Sequence, residues 1–250
     1  MAEEAARAAA EVLLGRFGGD GGAVRAKTTP TDLVSEADLE AERALRAVLA
    51  RRRPEDAVLG EEGGDRGGGS SGLRWVVDPL DGTVNFLFGI PQWAVSVACE
   101  DAEGTLAGVV LDPLREEVFT AARGGPATRN GERIHCSSRP DLATAMVATG
   151  FAYDAEMRAA QAEVAARVLP RVRDLRRMGS AALDLAWTAC GRYDAFYERG
   201  LAPWDRAAGA LICARAGLEL RELAPADKLP AGLLAAPPPL AGALEELVGA

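Results

Sequence analysis

Apolar residues recur at helical spacing close to the start of the chain. Over residues 2–17, Val12, Leu13, Leu14 and Phe17 gather on one side and Gly18-Gly19 closes the run, which predicts an amphipathic helix. A second helix is predicted up to about Arg52. Ser35 stands three residues before Asp38, the spacing of a capping box, and Leu39, Leu45, Val48 and Leu49 supply its apolar face. The period then shortens. Runs at 57–59, 75–77, 94–99, 105–111 and 117–121 read as strands, and Asn130-Gly131 as a tight hairpin turn. Together they predict an antiparallel sheet with helices on one face.

Beyond about Ser137 strands and helices alternate. Strands are predicted at 145–149, 172–176, 195–197 and 218–223, and helices at 154–168, 181–190 and 206–216. The expected organisation is an α+β part, 1–137, that carries most of the candidate site, and an α/β part, 138–250, that completes it. No internal repeat is apparent. The Gly-rich stretch 63–72 lacks the Gly-Lys-Ser/Thr ending of a phosphate-binding P-loop and reads as a surface loop.

With 250 residues, 48% of them hydrophobic, the chain can bury the core of one large domain or of two smaller ones sharing a cleft. A formal charge of −9 argues against a nucleic-acid-binding surface. An acidic protein can still bind an anionic substrate where bound metal inverts the local potential. The N-terminus is acidic where a secretory signal is basic, and no apolar run reaches membrane-spanning length, so a cytoplasmic location without membrane attachment is expected. Cys99, Cys136, Cys190 and Cys213 lie far apart with no Cys-x-x-Cys pair, which predicts buried free thiols. His135 is the only histidine and falls at a hairpin edge, which removes His-rich metal sites and Ser-His-Asp hydrolysis.

Acidic residues in three separated segments carry the chemistry: Glu61 and Glu62, Asp78 and Asp81 in Asp-Pro-Leu-Asp-Gly-Thr, and Asp205 in Pro-Trp-Asp. Carboxylates gathered in one cleft repel each other, and burying unpaired charge costs several kcal/mol per ion, so such a set makes sense around hard cations. Pro79 is expected to force a turn that brings Asp81 back beside Asp78, and Gly82-Thr83 to open a short helix whose free N–H groups can hold a phosphate. An Asx turn followed by a helix cap explains the same hexapeptide equally well. Of Glu61 and Glu62, only one can point inward from extended backbone. Asp205, just ahead of the predicted 206–216 helix, reads by itself as an N-cap. Asp32 and Asp38 flank a helix start, and either could accept the Thr83 hydroxyl's proton. Ser180 is a natural cap beside an anion-binding helix end. Arg171, Arg173, Arg176 and Arg177 read as a solvated strand face rather than an RNA-binding patch.

Taken together and in order, these segments resemble the inositol monophosphatase family. The resemblance is carried by Lys27 with Asp32-Leu-Val-Ser-Glu-Ala-Asp38, by Gly60-Glu61-Glu62, and by Trp75-Val-Val-Asp78-Pro-Leu-Asp81-Gly82-Thr83-Val-Asn85-Phe86 continuing to Gly89-Ile-Pro91. Gly179-Ser-Ala-Ala182 and Trp204-Asp205-Arg-Ala-Ala-Gly209 complete it. It implies a layered α-β-α-β-α sandwich, of mixed α+β and α/β character, and a homodimer. It further implies Mg2+ held by Glu61, Asp78, the Leu80 carbonyl, Asp81 and Asp205. Gly82 and Thr83 would grip the phosphate. Thr83, Asp38 and Glu61 would serve the attacking water, and Asp81, Ala181 and Glu198 would face the alcohol. Two neighbouring metals can lower the pKa of a water and stabilise a leaving alkoxide.

The expected reaction is hydrolysis of a small phosphomonoester, with inositol 1-phosphate as first substrate. Histidinol phosphate, fructose 1,6-bisphosphate and adenosine 3′,5′-bisphosphate are the alternatives on the same scaffold. Ala202 stands where animal relatives have a histidine, and Arg215-Ala216-Gly217-Leu218 where many have Glu-Ala-Gly-Gly. Phosphatases with an aspartyl nucleophile use Asp-x-Asp-Gly-Thr; here the spacing is Asp-x-x-Asp, which excludes that chemistry. A non-enzyme role, binding RNA or the transcription machinery, finds support only in the Arg171, Arg173, Arg176 and Arg177 run.

Overall fold

The computed structural model describes residues 1–19, 24–26, 33–66, 69–139 and 141–249, so Lys27 and Asp32 lie outside the described residues. The helices there are α1 (Ala2–Arg16), α2 (Glu36–Arg52), α3 (Thr83–Leu87), α4 (Ala155–Val168), α5 (Ala181–Ala189), α6 (Pro203–Ala216) and α7 (Pro238–Gly249). The first strands are β1 (Val24–Ala26), β2 (Leu33–Ser35), β3 (Ala57–Gly60), β4 (Gly64–Arg66), β5 (Arg74–Asp81), β6 (Ala94–Asp101), β7 (Gly104–Asp112), β8 (Glu117–Ala122), β9 (Thr128–Arg129) and β10 (Glu132–Arg133). They are followed by β11 (Met146–Thr149), β12 (Asp174–Arg176), β13 (Ala195–Arg199), β14 (Glu219–Leu223) and β15 (Gly232–Ala236).

Two sheets result. One has the order β10-β9-β8-β7-β6-β5-β3-β4 and is antiparallel except where β3 and β5 run parallel; the other, β12-β11-β13-β15-β14, is mixed. The α1/α2 pair covers one face of the large sheet, α5 and α6 lie between the sheets, and α4 and α7 close the outer face of the small one. This is the α-β-α-β-α layering expected. No described helix is long and apolar enough to cross a membrane.

Small residues set the spacing of these layers. α1 buries Ala5, Ala6, Ala9, Ala10 and Leu13 against Ala37, Ala41 and Leu45 of α2, a close approach that alanines allow without loss of helix propensity. A Cβ on Gly108 of β7 would sit 2.8 Å from the Ala208 Cα, and one on Gly209 2.7 Å from the Leu185 side chain. Glycine at these two positions lets α6 lie flat on the sheet and α5 lie flat on α6. Phe17, Phe86 and Trp93, with ring centroids 5.3–5.5 Å apart, tie the end of α1 to α3 and to the start of β6.

Four expectations need correction. β5 does not turn at Pro79: it runs on to Asp81, with a bulge that sets Asp78 opposite Ser96 and Asp81 opposite Ala94. α6 begins at Pro203, whose fixed φ and missing N–H suit the first helical position, so Asp205 lies inside the first turn rather than ahead of it. The Gly-rich loop contains a strand, β4, paired antiparallel to β3. The fifth strand of the small sheet, β15, went unpredicted. Of the four free thiols, Cys99 and Cys213 are buried and Cys136 and Cys190 only half-buried.

Candidate active site

A cleft of about 550 Å³ opens where β5, β13 and the starts of α3, α5 and α6 meet. Its walls include Glu61, Asp78, Leu80, Asp81, Gly82, Thr83, Ala181, Glu198 and Asp205. Sequence distances of more than a hundred residues therefore close on one pocket. Glu62 is not among the lining residues; the pair lies in a turn beyond the end of β3 rather than on the extended backbone expected. Asp38 is buried behind Thr83, whose hydroxyl donates to Asp38 Oδ1 at 2.9 Å and lies 3.1 Å from the Leu80 carbonyl. A larger groove, about 800 Å³, runs between α1 and the β7–β8 region, but its polar groups are engaged locally: Arg7 donates to Glu3, and Asn130 bonds the backbone of Glu116 and Val118.

Local structure aims each carboxylate. Asp78 Oδ1 accepts the Leu80 N–H at 2.9 Å. Asp81 Oδ2 accepts the Ser180 hydroxyl at 2.5 Å and the Ala182 N–H at 2.7 Å, while Oδ1 takes the Ala181 N–H at 3.3 Å. Asp205, third in α6, reaches back to the Ala202 N–H at 2.7 Å through Oδ2. Asp38, third in α2, takes the Ser35 N–H at 2.9 Å, the reciprocal half of the predicted capping box. The turn bearing Glu61 hangs on Glu42, a buried side chain absent from the predicted set: it accepts the N–H groups of Glu62 and Gly63, both at 2.8 Å, and Arg46 Nε at 2.6 Å.

The electrostatics of the cleft are those of crowded acids. Burial, then the charges of Glu61, Asp81 and Asp205, drives Asp78 well above the usual carboxylate range. Burial raises Asp81 to about 6 against the pull of Ser180 and Ala182, and burial followed by the Asp81 charge raises Asp205. Glu198 is pushed up to about 8 by burial and then by Asp81, with Arg177 opposing. A Cβ on Gly150 would sit 2.1 Å from Glu198 Oε1, so that glycine makes room for the carboxyl.

Among the described residues no three His, Cys, Asp or Glu side chains form a ready-made cage for an ion. The donor chemistry nevertheless fits one. Asp78 and Asp205 each spend one oxygen on a backbone amide and, among the described residues, have no hydrogen bond on the other, and all the donors are hard oxygens. Glu61, Asp78, Asp81, Asp205 and the Leu80 carbonyl are thus the residues that could hold a cation.

Of the lining residues that were not anticipated, two charged ones bear on the electrostatics of the cleft. Arg177, one residue past β12, is exposed like Arg171 and Arg173 but also lines the cleft. Asp184, in α5, is 1% exposed and also lines the cleft. One carboxylate in the otherwise apolar run Ala-Ala-Leu-Asp-Leu-Ala was the available signal.

A model of the inositol monophosphatase family matches residues 1–248. Inositol-1-monophosphatase SuhB of Mycobacterium tuberculosis is 48% identical over 234 residues, covering 87% of this chain and 81% of the relative. A protein of Pseudomonas aeruginosa named Nus factor SuhB is 46% identical over 74% of this chain and 70% of its own length. The crystal structure of the extragenic suppressor protein suhB from Bartonella henselae superposes with a TM-score of 0.91 at 36% identity, covering 98% of this chain and 96% of that one. With sequence and fold agreeing along nearly its full length, the chain belongs to the inositol monophosphatase family.

Proposed function

We propose that this protein is a magnesium-dependent phosphatase that hydrolyses a small phosphomonoester, with myo-inositol 1-phosphate as the first substrate. The observation that carries it is the convergence of Asp78, Asp81 and Asp205 on one cleft, their carboxyls mutually destabilised. Glu61, Asp78, Asp81, Asp205 and the Leu80 carbonyl would hold Mg2+, which when bound neutralises the cleft, acidifies water and stabilises a leaving alkoxide. Thr83, its hydroxyl directed at Asp38, holds an attacking water in line and passes a proton toward that carboxylate; Glu61 assists. The amides of Gly82 and Thr83, at the start of α3, bind phosphate oxygens. Asp81, Ala181 and Glu198 face the alcohol. The family likeness also supports a homodimer working in the cytoplasm, without membrane or nucleic-acid partners.

A panel of inositol 1-phosphate, histidinol phosphate, fructose 1,6-bisphosphate and adenosine 3′,5′-bisphosphate, run with a magnesium titration, tests this. Turnover of inositol 1-phosphate far below that of histidinol phosphate would displace the substrate assignment, and no magnesium-dependent turnover of any ester would displace the enzyme. A transcription-binding role is the second reading, brought by the name of the Pseudomonas relative. It gains ground if the purified chain is inert on the whole panel yet binds RNA polymerase.

A further inference from the structure

The turn that carries Glu61 is built around one carboxyl. Oε2 of Glu42 accepts the Glu62 N–H and Oε1 the Gly63 N–H, both at 2.8 Å, and Oε1 also takes Arg46 Nε at 2.6 Å. Glu42 is 3% exposed, and Arg46 reaches on to the carbonyls of Val58 and Gly64, one on each side of the turn. A Cβ on Gly60 would sit 2.7 Å from Arg46 Nη2 and 2.8 Å from Glu42 Oε1, and one on Gly63 would sit closer still. Glycine therefore flanks Glu61-Glu62 because the Glu42–Arg46 pair fills the space that side chains would need. The position calls for a carboxylate: three donors converge on it, and a carboxylate offers two acceptor oxygens where an amide offers one. A glutamine would set its NH2 against one of those donors.

Glu42 has a second relation to the cleft. It lies four residues after Asp38 in α2, and residues at that spacing share a helix face. Asp38 accepts the Thr83 hydroxyl at 2.9 Å, so one face of α2 holds both the hydroxyl proposed to orient the water and the turn that presents Glu61 to the cleft. The other acids are aimed differently. Asp78, Asp81 and Asp205 take amide N–H groups directly on their own carboxyls, whereas Glu61 stands in a turn past the end of β3 whose backbone Glu42 holds.

We infer that Glu42 is a positioning residue that sets the affinity of the cleft for its divalent cation, acting through the backbone of the turn that bears Glu61. The inference rests on the metal-dependent reading above and deepens it. Groups that orient a metal ligand without touching the metal change affinity by about ten- to a hundredfold when they are replaced. Because Glu42 touches none of Asp78, Asp81 and Asp205, its whole effect on the cation passes through Glu61.

Calorimetric titration of magnesium into the full chain, without ester, tests this on wild type, Glu42→Gln, Glu42→Asp, Glu61→Gln and the double variant Glu42→Gln/Glu61→Gln. Glu42→Gln should raise the magnesium Kd about tenfold. Glu42→Asp, which keeps two acceptor oxygens on a shorter stem, should recover part of that loss. In the double variant Glu42→Gln should add almost nothing to Glu61→Gln, since both act through one ligand. Turnover of inositol 1-phosphate should then show a higher magnesium requirement, with KM for the ester near wild type once magnesium saturates. A residue that only braces the fold would lower Tm and leave the Kd unchanged, or would weaken binding as much in the Glu61→Gln background as in wild type; either result overturns the inference. If Glu42→Gln does not fold, the Kd of Glu42→Asp decides. Wild type and variants that bind magnesium equally well overturn the role of Glu42 alone, whereas a wild type that binds none overturns the metal-dependent reading with it.

Discussion

Raising the pH should loosen the metal-free protein. Glu198 is held at about 8 in the fold by burial and then by the charge of Asp81, with Arg177 opposing. In an unfolded chain it would titrate near 4.3. Between those values the folded state binds more protons than the unfolded one. The contribution is therefore fully present below the unfolded value and is lost as pH rises through the folded one. The slope for one group is at most about 1.36 kcal/mol per pH unit, so Glu198 could remove up to about 2.7 kcal/mol between about pH 5.5 and 7.5. Its carboxyl keeps some contact with the solvent of the cleft, and about half that figure is the working value. Asp78, Asp184 and Asp205 shift in the same direction, and Asp81, at about 6, adds to the lower half of the window.

In a chain of this size each kcal/mol moves Tm by about 2–4 °C, so the expected fall is roughly 3–10 °C. Scanning calorimetry in chelator at a series of pH values measures it. Magnesium added near pH 7.5 should restore more of the lost Tm than magnesium added near pH 5.5, because only ionised carboxyls attract it. Glu198→Gln should flatten the slope. A Tm that holds or climbs across this window in chelator, or a slope that Glu198→Gln leaves intact, would refute the reasoning.

Asp81→Asn should cut magnesium-dependent turnover by at least about a hundredfold, or roughly 2.7 kcal/mol of barrier, with the circular dichroism spectrum preserved; unchanged activity removes Asp81 from the site. Thr83→Ala should lower kcat by about a hundredfold with little change in KM, and Thr83→Ser should recover most of it, because the group at work is the hydroxyl that donates to Asp38. Arg199, 5% exposed and without an acidic partner, donates to the carbonyls of Ala224, Pro230 and Val248 at 2.8–3.0 Å. Arg199→Met should strand these three acceptors and lower stability by about 3 kcal/mol, seen as a denaturation midpoint shifted without a change in m.

What the sequence disclosed and what it hid have separate physical origins. Helix α1 and the β9–β10 hairpin were legible because the determining residues are neighbours: a helical run closed by Gly18, and Asn130 and Gly131 at φ 51° and 82°, the conformation that a two-residue turn demands; the buried face of α1, however, is Ala5, Ala6, Ala9, Ala10 and Leu13, and Leu14, expected on it, is exposed. β15 was hidden because it is an inner strand between β13 and β14, buried throughout as Gly-Leu-Leu-Ala-Ala, so its residues show no alternation to mark a strand. Asp184 and Arg177 were hidden because their meaning depends on what folds opposite them. Glu42 reads as one charged position on a helix surface, yet it anchors the turn of Glu61, a relation across about twenty residues that periodicity does not encode.

The residues that gave ambiguous readings share one structural position. Asp38 is third in α2, Thr83 opens α3, Ser180 caps α5 and Asp205 is third in α6, so three helix N-termini deliver their first turns to the cleft and a fourth, that of α2, backs Thr83. Helix starts expose unpaired N–H groups and a partial positive charge, and they favour acidic and hydroxyl side chains for that reason alone. Here the amide bonds at the starts of α5 and α6 hold both oxygens of Asp81 and one of Asp205, and the Leu80 N–H within β5 holds one of Asp78. A cap and a cation ligand were competing explanations of Asp205 when the segment was considered by itself. In the fold the two are compatible, because the Ala202 amide takes only Oδ2 of Asp205. The converging helix ends lower the energy of gathering so many acids, and buried Arg199, which also lines the cleft, spends its Nη donors on the carbonyls of Ala224, Pro230 and Val248 rather than on these oxygens.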